Sequence, residues 1–183
     1  DLAIPVGIGT DGSASSDNQN MFEAMRAAAF VSRVVTPDPA RWLGAWEVLR
    51  LATEGGAHVL GMGGALGRLA PGYKADIVFL DLGNVNFVPL NDAANQIVNC
   101  EDGSAVDSVM IGGRMVLAGR RLTTIDYDRR RREVQATADR LRPSNAAAKA
   151  RMDAIEPFVS RHCIGLSRRP YPVQRRIEPA GAD

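Results

Sequence analysis

Apolar positions near the start of the chain follow one rhythm and then switch to another. Ile4-Pro5-Val6-Gly7-Ile8-Gly9 is a short apolar run without polar alternation, which reads as a strand buried on both faces of a parallel sheet. Thr10-Asp11-Gly12 stops the run, and Ser13 to Asn18 read as a small polar loop. A helix is predicted from about Gln19 to Val34, with Ser16 and Gln19 at capping-box spacing. Phe22, Met25 and Ala29 give that helix its apolar face. Strand, loop and helix make one βα unit. After the break at Thr36-Pro37-Asp38-Pro39, a second helix is expected around Arg41 to Leu51, with Trp42, Trp46 and Leu49 packed in a core. Thr53 to Leu60 reads as a third, short helix ended by Gly61, Gly63 and Gly64.

The pattern then turns to short strands. Ile77-Val78-Phe79-Leu80 is a strand, Ala93 to Asn99 a short helix and Val106 to Ile111 another strand. Gly112-Gly113 turns that strand into Arg114-Met115-Val116-Leu117, a hairpin signal, and Gly119 to Thr124 extends the same sheet. From Asp126 the chain reads helical to about Arg142, and again from Ser144 to about Val159. Pro170, Pro172 and Pro179 mark an extended tail.

Composition narrows the function classes. The chain's 183 residues, 45% hydrophobic and 23% charged, can bury a core and are not those of a disordered protein. A formal net charge of +1 gives no electrostatic case for a nucleic-acid or membrane partner. No apolar run approaches the roughly 18 residues of a membrane span. Cys100 and Cys163 lie outside any Cys-x-x-Cys spacing, so reduced, buried or idle thiols in a cytoplasmic setting are expected. Gly61 to Gly67 only superficially matches a dinucleotide loop, because position 66 is leucine and no strand precedes it. Arg129 to Arg132 is flanked by acidic residues and reads as a solvated helix face. The basic lean of Arg161, Arg168, Arg169, Arg175 and Arg176 fits a subunit contact or a loose end better than nucleic acid.

Asp11 is the leading candidate for chemistry. A carboxylate at the C-terminal end of a buried parallel strand, beside glycine, points to where α/β folds bind ligands. Buried there unpaired it would be costly, so it should meet a metal, a cation or several donors. The local pattern alone equally allows an aspartate that caps the following loop.

Three stretches carry a resemblance. Val6-Gly7-Ile8-Gly9-Thr10-Asp11-Gly12-Ser13-Ala14-Ser15 resembles the last barrel strand of the amidohydrolase superfamily, in the branch of cytosine, guanine and S-adenosylhomocysteine deaminases and triazine hydrolases. Gly67-Arg68-Leu69-Ala70-Pro71-Gly72-Tyr73-Lys74-Ala75-Asp76-Ile77-Val78 is similar to the segment that leads such chains from barrel to a small β-sandwich. Val106 to Leu117 resembles the hairpin that follows. The three occur in the family's order and cover roughly residues 4 to 142.

The resemblance implies a fold and a reaction. The fold class is α/β: residues 1–66 would be the last βα unit of a (β/α)8 barrel, 67–125 part of a β-sandwich, and 126–183 a helical tail and extended end. Such enzymes hold one divalent metal, zinc or iron, at the barrel mouth, on a His-x-His pair, a further histidine and a last-strand aspartate. Asp11 matches that aspartate, as metal ligand and as acceptor of the attacking water's proton. Ser13 and Ser15 lie on the loop over the site and would contact substrate or orient Asp11. The reaction expected is hydrolytic removal of an amino group or halide from a heterocycle such as a purine, pyrimidine or triazine. This chain departs from the pattern in having no His-x-His; its two histidines, His58 and His162, read as surface or packing residues. A whole barrel needs about 250 residues, and the chain opens on Asp1. We therefore expect the C-terminal portion of a longer, oligomeric hydrolase, inactive by itself, with the remaining ligands upstream or on another chain. The rival expectation is a non-catalytic packing or oligomerisation module without a complete metal site.

Overall fold

An irregular stretch from Ile4 leads into a single helical turn, α1 (Ser13–Ser16), and then into α2 (Met21–Val35). The computed structural model describes residues 4–168, and the chain divides into one unit through Thr124 and another beginning at Ile125. The extended tail expected around Pro170, Pro172 and Pro179, with Arg169, Arg175 and Arg176, lies outside the described residues.

The predicted strand at Ile4 to Gly9 pairs with no other strand among the described residues. A parallel strand needs a neighbour in its own sheet, and the described residues offer none. Ile4 and Val6 consequently stand 65% and 55% exposed. The segment is anchored instead on a helix. Helix α3 (Ala45–Arg50) runs on through a π-helical turn, Leu51–Gly55, into α4 (Gly56–Val59). The carbonyl of Leu51 accepts the Ile8 N–H at 3.1 Å as well as the N–H of Gly56. Two glycines make that approach feasible. A Cβ on Gly7 would sit 2.8 Å from Gly56 Cα, and one on Gly55 would collide with the Val6 carbonyl oxygen.

Helix α2 starts later than its sequence suggests. Asn20 is the cap, its side chain accepting from the N–H groups of Phe22 and Glu23, and Ser16 belongs to the turn before it. The predicted apolar face is correct: Met25 and Ala29 are buried, with Phe22 packed beside them. Val48 of α3 and Val98 of α5 (Ala93–Asn99) complete this core, and Ile8 packs against it. The two tryptophans are not core residues, since Trp46 is 65% exposed. Trp42 precedes α3, so the expected 42-46-49 spacing does not lie on one helix face. Its indole N–H donates to the Thr36 carbonyl at 2.9 Å, and the Arg33 guanidinium lies over its ring.

A four-stranded antiparallel sheet follows, in the order β1 (Ile77–Leu80), β2 (Val106–Ile111), β3 (Arg114–Ala118) and β4 (Arg121–Leu122). Gly112 and Gly113 take φ values of 55° and 80° in the β2–β3 turn, the doubly left-handed geometry that glycine supplies for tight hairpins. Asp76, just before β1, caps that turn by accepting the Gly112 N–H at 2.6 Å. The Ala75 carbonyl accepts the Gly113 N–H. The second unit holds α6 (Tyr127–Ser167), one helix of 41 residues where two were expected. It continues through Pro143 and Pro157 and buries none of its residues.

Gly67 opens the second sequence stretch for a steric reason. Its φ is +90°, and a Cβ there would fall 2.8 Å from Glu54 Cα. Beside it, Arg68 donates to the Glu54 carboxylate at 2.8 Å, with Arg50 a further 3.6 Å contact. The Arg68 hydrogen bond holds the Glu54 carboxyl below its usual range.

Two predictions follow from this packing. Gly55→Ala should destabilise the first unit by about 1–3 kcal/mol through overpacking against Val6. Gly56→Ala, whose Cβ meets open space, should be neutral or stabilising by up to about 1 kcal/mol; urea midpoints of the two variants test the contrast. A carboxyl held low when folded contributes stability that is complete above its unfolded value and lost as pH falls through the folded one. The midpoint difference between wild type and Glu54→Gln should therefore be present near neutrality and shrink below about pH 4.3.

Candidate functional site

The docked segment ends at Asp11, and the local backbone is unusual. Asp11 has φ 59°, a left-handed conformation that aspartate tolerates better than most residues because its short side chain bonds locally. Here it does so: Oδ1 accepts the Gly12 N–H at 2.7 Å. Oδ2 has no hydrogen-bond partner among the described residues, and the side chain is exposed. The carboxylate is thus half engaged and half open.

The loop after it is built by Ser16. Its hydroxyl lies 2.7 Å from the Thr10 carbonyl, 3.3 Å from that of Gly12 and 2.9 Å from that of Asn18. A hydroxyl has a single proton, so it bonds one of these at a time, with Thr10 the shortest contact. The N–H groups of Ser15 and Ser16 return to the Gly12 carbonyl, closing α1. Ser13 and Ser15 are exposed on that turn, and neither hydroxyl has a hydrogen-bond partner among the described residues. Asp11, Ser13 and Ser15 therefore share one loop, with their polar groups facing solvent. Ser16 lies in the loop as expected, but its hydroxyl closes the turn and does not cap α2 as its spacing to Gln19 suggested.

The loop is tied down from its far side. Asn20 donates from Nδ2 to the Asp102 carbonyl at 2.8 Å, and Arg26 donates to the Glu101 carbonyl at 2.6 Å. Glu101 is fully buried, a carboxylate that the sequence reading passed over. Its Oε1 accepts the N–H groups of Gly103 at 2.7 Å and Ala105 at 2.9 Å, and its Oε2 faces the Asn86 amide at 3.3 Å. Both oxygens are satisfied, so the burial is stable and leaves no vacancy for a ligand. Asp102, just beyond, has its carboxyl drawn below the usual range by hydrogen bonds from Ser104.

The remaining candidates do not converge on Asp11. No group of three His, Cys, Asp or Glu side chains able to hold a metal exists among the described residues. A divalent ion in a catalytic site takes three protein ligands, so residues 4–168 do not fit a complete metal centre. His58 is exposed on α4 with its ring against Gly63, where an added Cβ would lie 2.5 Å from Nδ1. His162 is exposed on α6. Cys100 and Cys163 are free, as expected of reduced thiols, and both are exposed, which rules out the buried half of the buried-or-idle expectation. An open cavity of about 520 Å³ lies between α5 and the Val85–Asn91 loop, lined in part by Asn86, Asn95, Gln96 and Cys100, and includes none of the predicted site residues. No described helix is long and apolar enough to cross a membrane.

Comparison with known proteins places this geometry. Residues 2–116 match the model of the amidohydrolase family. A 5-methylthioadenosine/S-adenosylhomocysteine deaminase from Acetivibrio thermocellus is 40% identical over 138 residues, covering 75% of this chain and 32% of that protein. The Desulforudis audaxviator protein of the same name is 39% identical, with the same coverage. Among solved structures, an adenosine deaminase from Xanthomonas campestris with bound zinc superposes with a TM-score of 0.73 at 33% identity, over 77% of this chain and 32% of that one. The zinc complex of atrazine chlorohydrolase TrzN from Arthrobacter aurescens gives 0.66 at 35% identity, over 73% of this chain and 29% of that one. The chain spans about a third of the length of the curated relatives it matches. With the match extending over residues 2–116, including the Asp11 loop and the β2–β3 hairpin, the chain belongs to the amidohydrolase family.

Proposed function

We propose that this chain supplies the C-terminal barrel unit of a metal-dependent hydrolase that removes an amino group, or a halide, from a purine, pyrimidine or triazine. The observation that carries the reading is Asp11: a half-engaged carboxylate at the end of a glycine-docked segment. The named relatives, deaminases and a chlorohydrolase, support the reaction class. The unpaired segment at Ile4 to Gly9, with Ile4 and Val6 exposed, supports further barrel strands covering it from outside the described residues.

In this reading Asp11 is one ligand of a zinc or iron ion, and the other ligands come from outside residues 4–168. The work assigned to this chain is correspondingly limited. Oδ1, held by the Gly12 N–H, keeps the carboxylate oriented, and Oδ2 takes a proton from the attacking water. The water oxygen forms the new bond to the ring carbon, the C–N or C–halide bond breaks, and in deamination the proton leaves with ammonia. Ser13 and Ser15, with uncommitted hydroxyls, are placed to hydrogen-bond the heterocycle. Ser16 holds the loop and makes no substrate contact.

In the complete hydrolase, Asp11→Asn should lower kcat by roughly 10²- to 10⁴-fold, the range of a positioned acid–base group, and should reduce bound metal measured by elemental analysis. Full turnover with normal metal content would remove Asp11 from the mechanism. The 183-residue chain alone, supplied with zinc, should show no turnover of purine or triazine substrates; metal-dependent turnover would show the ligand set to be complete without other residues. Ser13→Ala should change KM for the heterocycle, whereas an unchanged KM across substrates would limit Ser13 to shaping the turn.

A further inference from the structure

Helix α6 carries a second repeat beside its composition of charges. One row, at intervals of seven, holds Tyr127, Val134, Leu141, Ala148, Ile155 and His162. Four residues after each comes a second row: Arg131, Ala138, Asn145, Met152, Val159 and Leu166. Alternating steps of four and three give a period of 3.5, which keeps one seam on one side of a left-handed supercoil. The helix has 41 residues, about six heptads, and a sustained seam needs three or four.

Within its own unit, among the described residues, the seam has no partner. The helix buries nothing, and Met152 and Ile155 are 64% and 49% exposed. Helices in proteins owe most of their stability to packing of an apolar face, so this one is built to be covered. The prolines fit the same design. With the second row as heptad position a and the first as d, Pro143 and Pro157 both fall at f, opposite the seam and two heptads apart. Proline removes an intrahelical hydrogen bond and crowds the preceding turn, and at f both prolines place that disturbance away from the seam.

We propose that α6 forms a parallel two-stranded coiled coil with α6 of a second copy of this chain. Parallel packing sets each a residue against its own counterpart, so Asn145 meets the Asn145 of the second copy. Asn145 is the polar residue among the interior a positions, with Arg131 at the N-terminal end of the seam, and a buried polar Asn at a is the device that specifies strand number and register. Parallel packing also brings Arg151, at g, against Glu156, at e, of the other copy, twice by symmetry. Neither forms an ion pair within its own chain among the described residues; the Glu156 carboxylate accepts only from the Ser160 hydroxyl. A fully overlapped antiparallel pair would instead oppose Arg142 and Lys149, two cations at e. Arg131 lies near the N-terminal end of the seam, where its stem can pack and its guanidinium reach water. This inference rests on α6 alone and fails or stands apart from the hydrolase reading.

Sedimentation of the intact 183-residue chain should show a dimer of twice 19.6 kDa in a concentration-dependent equilibrium. Arg151→Glu, an exposed change that leaves the fold alone, should weaken dimerisation by roughly tenfold through two reversed contacts, and Arg151→Glu with Glu156→Arg should restore it. Leu141→Asp should shift the chain to monomer. Val159→Cys, in a chain with Cys100→Ser and Cys163→Ser, should form a covalent dimer on mild oxidation, as parallel strands require. A chain monomeric at all concentrations, a trimer, a dimer indifferent to Leu141→Asp and Arg151→Glu, or a dimer that Val159→Cys fails to cross-link would each overturn the proposal.

Discussion

Between Gly7 and the helical turn at Gly55–Gly56 there is no room for a side chain, and the position of the Asp11 loop depends on that contact. Backbone lies against backbone, with the Ile8 N–H on the Leu51 carbonyl at 3.1 Å. The π-helical turn matters here because its wider ladder lets one carbonyl serve both the helix and the docked segment. Only three residues separate Gly7 from Asp11, so the docking at the glycines fixes where the segment delivers the carboxylate. Ile8 adds the apolar half of the anchor by packing on the Met25, Ala29, Val48 and Val98 core. Gly67 repeats the device on the same stretch of helix, approaching Glu54 and Thr53 where any Cβ would collide. Gly7 and Gly67, one from each sequence stretch, are thus contact residues of one helical segment.

Three carboxylates in the first unit show how differently the same group can be employed. Glu101 is buried with both oxygens satisfied, two bonds of it to backbone N–H groups. Asp76 spends its carboxylate on capping the hairpin turn at Gly112. Each is needed where it is, since removing either would leave N–H groups without acceptors, at a cost of about 1–3 kcal/mol for a buried one. Asp11, like Asp76, has one oxygen on a backbone N–H and the other without a hydrogen-bond partner among the described residues, but its bond is to the very next residue and so leaves it bound to no distant element. Orientation without saturation is what a proton acceptor or a ligand requires; Asp38 and Asp92 share that pattern at helix caps, and Asp11 is set apart by its place at the end of the glycine-docked segment.

Most elements were legible because their signals are local. The double glycine of the hairpin, the turn at Gly61 and the Phe22-Met25-Ala29 face follow from φ preferences and helical spacing, and all are where the sequence puts them. What failed depended on distant residues. Ile4 to Gly9 has strand composition, yet a ladder needs a partner that the described residues do not contain. Trp42 and Trp46 have helical spacing, but α3 begins between them, after Gly44. The proline at 143 argued for a break, whereas α6 runs through it with the ring on the face away from the heptad seam. Asp11 could be named from its position after an apolar run, and Ser13 and Ser15 from the resemblance that run carries. Glu101 could not, because its burial depends on Gly103, Ala105, Asn86 and Arg26 folding around it.

The chain is left with two half-built features, and they need different complements. The α6 seam is self-complementary: its polar a position and its g–e charges find their partners in an identical helix. The Asp11 site is not. A second copy brings another Asp11, another His58 packed against Gly63 and another His162 on its own seam, so self-association adds no free histidine to a metal centre. A copy of this chain therefore completes the proposed coiled coil without adding a histidine beside Asp11, and the metal site proposed above would draw its other ligands from residues outside 4–168. The proposed assembly through α6 and the proposed role of Asp11 therefore make separate demands on the same sequence.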